Sequence, residues 1–244
     1  MSKLPAKFGK LKYKRVLLKL SGEVVGGENE NGIDFGFLAE LCGQIRMIKE
    51  AGVQLAVVIG GGNFWRYRDF KHSNVDRVNS DYIGMMATLI NSIALQDELL
   101  AQKVNAKVFS AIPVDKIVDE FTARDASEAM DNGTIVICAG GTGNPFCTTD
   151  SAASLRASEL KCDLIIKATN VDFVYDKDPR KFPNAKPFKE ITYDEVLKKG
   201  LGVMDLGAIV TAREAKIPIA IFNLNKSKSV LDILRGKIVG SFIY

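Results

Sequence analysis

Short runs of apolar, often β-branched residues recur at positions 16–20, 55–59, 107–111, 134–138, 164–166, 219–222 and 238–243. Between several of them the apolar positions change to a helical spacing. Residues 35–51 place Leu38, Leu41, Cys42, Ile45 and Ile48 on one face, and residues 81–103 form a long stretch rich in Met, Leu and Ile. Further helical stretches cover 151–161, 193–199 and 205–216. Continuous apolar runs belong to strands covered on both faces, and their alternation with helices predicts a largely parallel sheet in an α/β fold. Gly52, Gly133, Gly200 and Gly236 fall where helix C-caps are expected. The most irregular stretch, 176–187, contains Pro179, Pro183 and Pro187 and reads as a loop that could act as a lid. No long linker divides the chain. The two halves, meeting near residue 150, are expected to share one sheet, which gives a single domain over 12–244 behind a basic tail at 1–11.

The strand ends carry the candidate chemistry. The run at 134–138 leads into Ala139-Gly140-Gly141-Thr142-Gly143-Asn144-Pro145-Phe146-Cys147-Thr148-Thr149-Asp150 and then a helix. A strand, a glycine-rich turn and a helix start present free backbone N–H groups to an anion. Thr148, Thr149 and Asp150 add N-cap chemistry. Gly60-Gly61-Gly62-Asn63 and Lys19-Leu20-Ser21-Gly22 follow two other strands in the same way. Three such turns point to a protein that holds several phosphates at once.

Composition narrows the classes. At 244 residues, 47% hydrophobic, the chain is long enough for a sizeable core. The net charge of +4 permits anionic ligands without demanding nucleic acid. Much of the excess lies in Lys3, Lys7, Lys10, Lys12, Lys14 and Arg15, read as a solvated tail. Cys42, Cys138, Cys147 and Cys162 form no CxxC pair, so zinc and dithiol chemistry are not expected, and free thiols in a reducing cytoplasm are. No signal peptide or membrane span is evident. The one histidine, His72, lies in a polar stretch, so histidine-based general-base catalysis fits poorly.

Familiar nucleotide motifs fail. Gly22 to Gly27 has GxxxxG spacing, but Glu28 stands where a Walker A lysine is required; Gly141-Thr142-Gly143 opens like a dinucleotide fingerprint, but Phe146 occupies the third glycine position. What remains is Lys19 at a strand end beside a glycine turn, able to bridge donor and acceptor phosphates. Arg66 lies within reach of the Gly62 turn, with Arg68 and Arg77 as alternatives. Asp172, Asp176 and Asp178 cluster near Tyr175, whose ring can stack on a base; Asp178 can accept from a ribose hydroxyl, and Thr169 can touch a base edge or phosphate.

Together these segments resemble the bacterial-type uridylate (UMP) kinases of the amino acid kinase superfamily. The matching pieces are residues 12–23, 57–63, 81–88, Thr142 to Phe146 with Thr148 to Ala153, and Val203-Met204-Asp205-Leu206, in the family's order. The resemblance implies a three-layer α/β/α sandwich around a mainly parallel sheet. It implies transfer of phosphate from ATP to UMP in pyrimidine biosynthesis, in a cytoplasmic homohexamer inhibited by UTP and often activated by GTP. By position, ATP would meet Lys19, Leu20, Ser21, Gly22, Gly62, Arg66, Thr169, Tyr175 and Asp178. UMP would meet Gly61, Asp81, Thr142, Gly143, Asn144, Pro145, Phe146, Cys147, Thr148 and Thr149. Lys19, Arg66 and Asp150 would be catalytic, with Mg²⁺ carried by the phosphates and few protein ligands. Other branches of the superfamily phosphorylate carboxylates and carry a second lysine late in the chain; here 203–208 has none before Lys216, which implies the nucleotide branch. Phe173, Cys147 and Tyr67 depart from the family pattern, and at Phe173 a positive φ would be costly. Gln96 and Leu100 stand where GTP-activated relatives carry basic residues, which counts against GTP activation. Two other readings are a non-catalytic nucleotide-binding regulator on the same fold and a kinase for another small acceptor.

Overall fold

The computed structural model describes residues 10–27, 31–70, 74–169, 171, 173–179, 181–223 and 229–244. His72 and Asp172, and Lys3 and Lys7 of the basic tail, lie outside these residues. The chain runs β1 (Arg15–Leu20), α1 (Glu23–Gly26), α2 (Phe35–Glu50), β2 (Gln54–Ile59), α3 (Arg77–Ala101), β3 (Ala106–Ser110), β4 (Asp119–Glu120), α4 (Ala123–Asp131), β5 (Ile135–Ala139) and α5 (Thr149–Glu159). It continues with β6 (Leu164–Thr169), β7 (Val174–Tyr175), β8 (Pro187–Phe188), β9 (Glu190–Ile191), α6 (Tyr193–Lys199), α7 (Leu206–Glu214), β10 (Ile219–Asn223), α8 (Ser229–Leu234) and β11 (Ser241–Ile243).

Nine strands form one sheet in the order β4-β3-β5-β2-β1-β6-β10-β11-β9, parallel throughout except where β10 meets β11. The alternation within each strand sorts side chains onto two cores. Val16, Leu18 and Leu20 of β1, with Leu55, Val57 and Ile59 of β2, face α2, α3 and α8. Leu17 of β1, Ala56 and Val58 of β2 and Ile165 of β6 face α4, α5, α6 and α7. Helices on both sides of a parallel sheet give the expected three layers. Leu11, assigned to the tail by its sequence context, is buried in the first core.

Several elements differ from their sequence-based expectation for local reasons. Helix α3 begins at Arg77, not Asp81, because Asp76 caps it by accepting from the N–H of Val78. Helix α4 was not anticipated: it buries only Ala126 and Met130, too narrow an apolar stripe to stand out. The irregular 176–187 stretch is the arm between the paired strands β7 and β8, tied at its base by Asp176, whose N–H donates to the Lys186 carbonyl. Phe173 is not among the described residues with positive φ, and it packs edge-on against Tyr175 with ring centroids 6.3 Å apart. The backbone cost expected there does not arise.

Candidate active site

The C-terminal ends of β1, β2, β5 and β6 converge, and the three glycine turns gather around one cavity there, the first two in backbone contact. Gly60 N–H donates to the Leu20 carbonyl. A Cβ on Gly22 would lie 2.5 Å from Gly60 O and 2.6 Å from Gly62 N, so only glycine lets the first and second turns touch. In the third turn Gly140, Gly141 and Gly143 all have positive φ, as does the non-glycine Phe146 at 63°. Thr148 caps α5 by accepting from the N–H groups of Asp150 and Ser151.

The charged centre follows from strand register. In the parallel pair β1/β6, Lys19 stands opposite Lys167, and both alternate with Leu17 and Ile165 onto the α5 face. Asp150, in the first turn of α5, lies between them. Lys19 Nζ is 2.9 Å from Asp150 Oδ1, a close ion pair whose angle departs from that of a hydrogen bond. Lys167 Nζ donates to Asp150 Oδ2 at 2.6 Å and to the Val203 carbonyl at 2.7 Å. Burial pushes the Asp150 carboxyl up, but Lys19 and Lys167 together outweigh it and hold the group below the ordinary aspartate value. Burial, with the positive charge of Lys19, pulls Lys167 below the ordinary lysine value, and Asp150 offsets this only in part.

Two cavities flank this row. The first, about 520 Å³, is lined by Lys19, Ser21, Gly22, Gly61, Gly62, Arg66, Asp81, Thr142, Cys147, Thr148 and Thr149 among others. The second, about 550 Å³, is lined by Lys167, Thr169, Phe173, Tyr175, Asp178 and Val203 among others. The predicted residues are therefore gathered in two places joined by Lys19, Asp150 and Lys167. Leu20 departs from expectation, since its side chain is fully buried in the α2/α3 core. Gly143, Asn144, Pro145 and Phe146 do not line the first cavity; Phe146 is 69% exposed.

Individual side chains are already engaged. Arg66 Nη2 pairs with Glu23 Oε1 at 2.5 Å. Asp81 accepts from both Arg77 Nε and the Phe146 N–H. The Thr148 hydroxyl donates to Asp205, which also accepts from Ser151 and caps α7. Cys147 is exposed, whereas Cys42, Cys138 and Cys162 are buried and burial pushes all three thiols up.

Sequence reading missed Lys167, Asp205 and Glu23. Lys167 was outside the strand drawn at 164–166; extending that strand by its alternation would have set a second lysine beside Lys19. The segment 203–208 carries no lysine of its own, but Lys167 reaches the Val203 carbonyl from β6 and brings a second ammonium beside it.

A model of the amino acid kinase family matches residues 14–223. A uridylate kinase of Bacteroides thetaiotaomicron is 46% identical over 233 residues, covering 96% of this chain and 99% of that protein. A uridylate kinase of Rickettsia bellii is 45% identical over 227 residues, covering 93% and 95%. The crystal structure of a UMP kinase from Bacillus anthracis superposes with a TM-score of 0.92 at 34% identity, over 95% of this chain and 96% of that one.

Asp150→Asn removes the carboxylate from between two largely buried ammonium groups and is expected to cost about 3–5 kcal/mol. Chemical denaturation measures this. With its counter-charge gone, Lys167 binds a proton less tightly folded than unfolded, so the variant should regain stability as pH rises toward the lysine range. A loss that does not shrink with pH would show that the carboxylate does not neutralise the two lysines.

Proposed function

The chain belongs to the amino acid kinase family, and from that membership we propose that it transfers the γ-phosphate of ATP to UMP, giving ADP and UDP. The observation that carries the reading is the row Lys19–Asp150–Lys167 between two cavities. One cavity suits the acceptor and the other the donor, and cations line the border where a phosphoryl group would cross. A UMP phosphate is already anionic near neutral pH and needs no general base. Catalysis then reduces to alignment and neutralisation of charge.

The roles divide along the chain. Tyr175 stacks on the adenine, Asp178 accepts from the ribose and Thr169 borders the base. The triphosphate runs past Lys167 and Lys19 to the N–H groups of Ser21, Gly22 and Gly62. UMP lies along Gly61, Asp81 and the loop from Thr142 to Thr149. Lys19 and Lys167, with the Asp150 carboxylate between them, face the phosphate as its charge moves. Arg66 exchanges the Glu23 carboxylate for a phosphate oxygen. ATP enters as its Mg²⁺ complex, the ion adding neutralising charge on phosphate oxygens and water. Asp150 fits that arrangement poorly as a metal ligand, since both its oxygens face lysines, and no cluster of three metal-ligating side chains occurs among the described residues.

Assembly and regulation complete the proposal. Val78, Tyr82, Ile83, Met86 and Ile90 leave an apolar stripe exposed on α3, which supports burial against another copy in a homohexamer. UTP, sharing the uracil and ribose of the acceptor, inhibits. GTP activation is not supported: Gln96 is engaged in accepting from the Val108 N–H, and Leu100 is apolar. The setting is cytoplasmic; no described helix is long and apolar enough to cross a membrane. Nothing in the site favours a non-catalytic regulator or a carboxylate acceptor.

In a coupled assay the chain should phosphorylate UMP, with little turnover of CMP and none of glutamate or carbamate. Robust CMP or carbamate turnover without UMP turnover would overturn the assignment. Lys19→Ala should fold normally by circular dichroism yet lose about 10²–10³-fold in kcat; a near-normal rate would remove Lys19 from the mechanism. Because Lys167 must stay protonated and its pKa is lowered, kcat should decline with rising pH before an ordinary lysine, near about 10.4, would titrate. Lys167→Arg should shift that alkaline limb upward. An unmoved limb would assign it to another group.

A further inference from the structure

Helix α3 holds two of the three glycine turns by buried side-chain hydrogen bonds. Thr88, 5% exposed, accepts from the Gly140 N–H at 2.9 Å and donates to the Met85 carbonyl at 2.7 Å. Asn91 is fully buried and donates to the Gly60 carbonyl at 2.8 Å. It also forms a reciprocal amide pair with Asn63, whose own amide donates to the Gly32 carbonyl. The two turns stand at the ends of the neighbouring strands β2 and β5. Thr88 and Asn91 are one helical turn apart on the same face, a spacing of about 4.5 Å fixed by the helix rise. Helix and turn are also in direct contact, since a Cβ on Gly61 would lie 2.7 Å from both Ala87 Cβ and Gly84 O.

The geometry points to Thr88 and Asn91 as positioning residues for phosphoryl transfer, acting through Gly140 and Gly60 rather than by touching substrate. The inference rests on the kinase reading above. Transfer requires the reacting oxygen and phosphorus within about 3–3.5 Å, and a displacement of about 1 Å costs on the order of 100-fold in rate. Two turns that grip different phosphates need a common ruler, and one helix face supplies it. Thr88 and Asn91 set the distance between the turns; the N–H groups of the turns set the distance between the phosphates.

The test compares Thr88→Val, Thr88→Ser and Asn91→Leu with the parent enzyme. Valine keeps the shape of threonine but leaves the Gly140 N–H unpaired, while serine keeps the hydroxyl. Thr88→Val should lower kcat about 10- to 100-fold while calorimetric UMP affinity changes less than about threefold. Thr88→Ser should restore most of the rate. Asn91→Leu, with specific activity counted per folded molecule from a denaturation curve, should behave as Thr88→Val does. Unchanged kcat in Thr88→Val, or a deficit that Thr88→Ser does not relieve, would overturn the inference, as would a rate loss explained entirely by a smaller folded fraction. An inactive parent enzyme would instead overturn the kinase reading beneath it.

Discussion

Asp150 between Lys19 and Lys167 is the interaction on which the site depends. Two ammonium groups side by side at the edge of a core repel each other and lose hydration, and both costs favour the neutral amine. One carboxylate with an oxygen turned to each makes the pair tolerable and leaves the group of three with a net positive charge. That remaining charge faces a polyanion. The arrangement also fixes α5 against the sheet, because its first turn is bonded to strands β1 and β6 together. Cap, strand register and electrostatics are thus one constraint seen from three sides.

Register carries more than the packing. In β1 and β6 every second residue faces the α5 layer, so Leu17 and Ile165 are core while Lys19 and Lys167, one step on, are chemistry. A slip of one residue in either strand would turn a lysine into the opposite core and a leucine or isoleucine into the site. The same sheet that buries its apolar side chains on both faces therefore aims its charged ones without extra scaffolding.

Much of this was legible in the chain. The central strands stand out as apolar runs because a doubly covered parallel sheet leaves no polar face to interrupt them. Gly52, Gly133, Gly200 and Gly236 follow helices as expected, each with positive φ. The three glycine turns and Lys19 were visible because their residue types are unusual at strand ends. Local contrast failed elsewhere. Lys167 was masked by a strand drawn too short, α4 by its narrow apolar stripe, and the true start of α3 by an acidic residue five positions past the actual cap. The bonds from Thr148 and Ser151 to Asp205 have no local signal, since those partners lie more than fifty residues earlier and meet it only through the packing of α5 on α7. Leu20 shows the converse: a residue adjacent to site residues in sequence whose side chain the strand alternation sends to the far core.

The distribution of thiols has a practical side. Three of the four cysteines are sealed in the two cores with their thiols pushed toward the unreactive protonated form, while Cys147 stands exposed on the wall of the first cavity. The native chain thus offers a single reactive handle, and a fluorophore or spin label attached there would report on that cavity without any engineered cysteine.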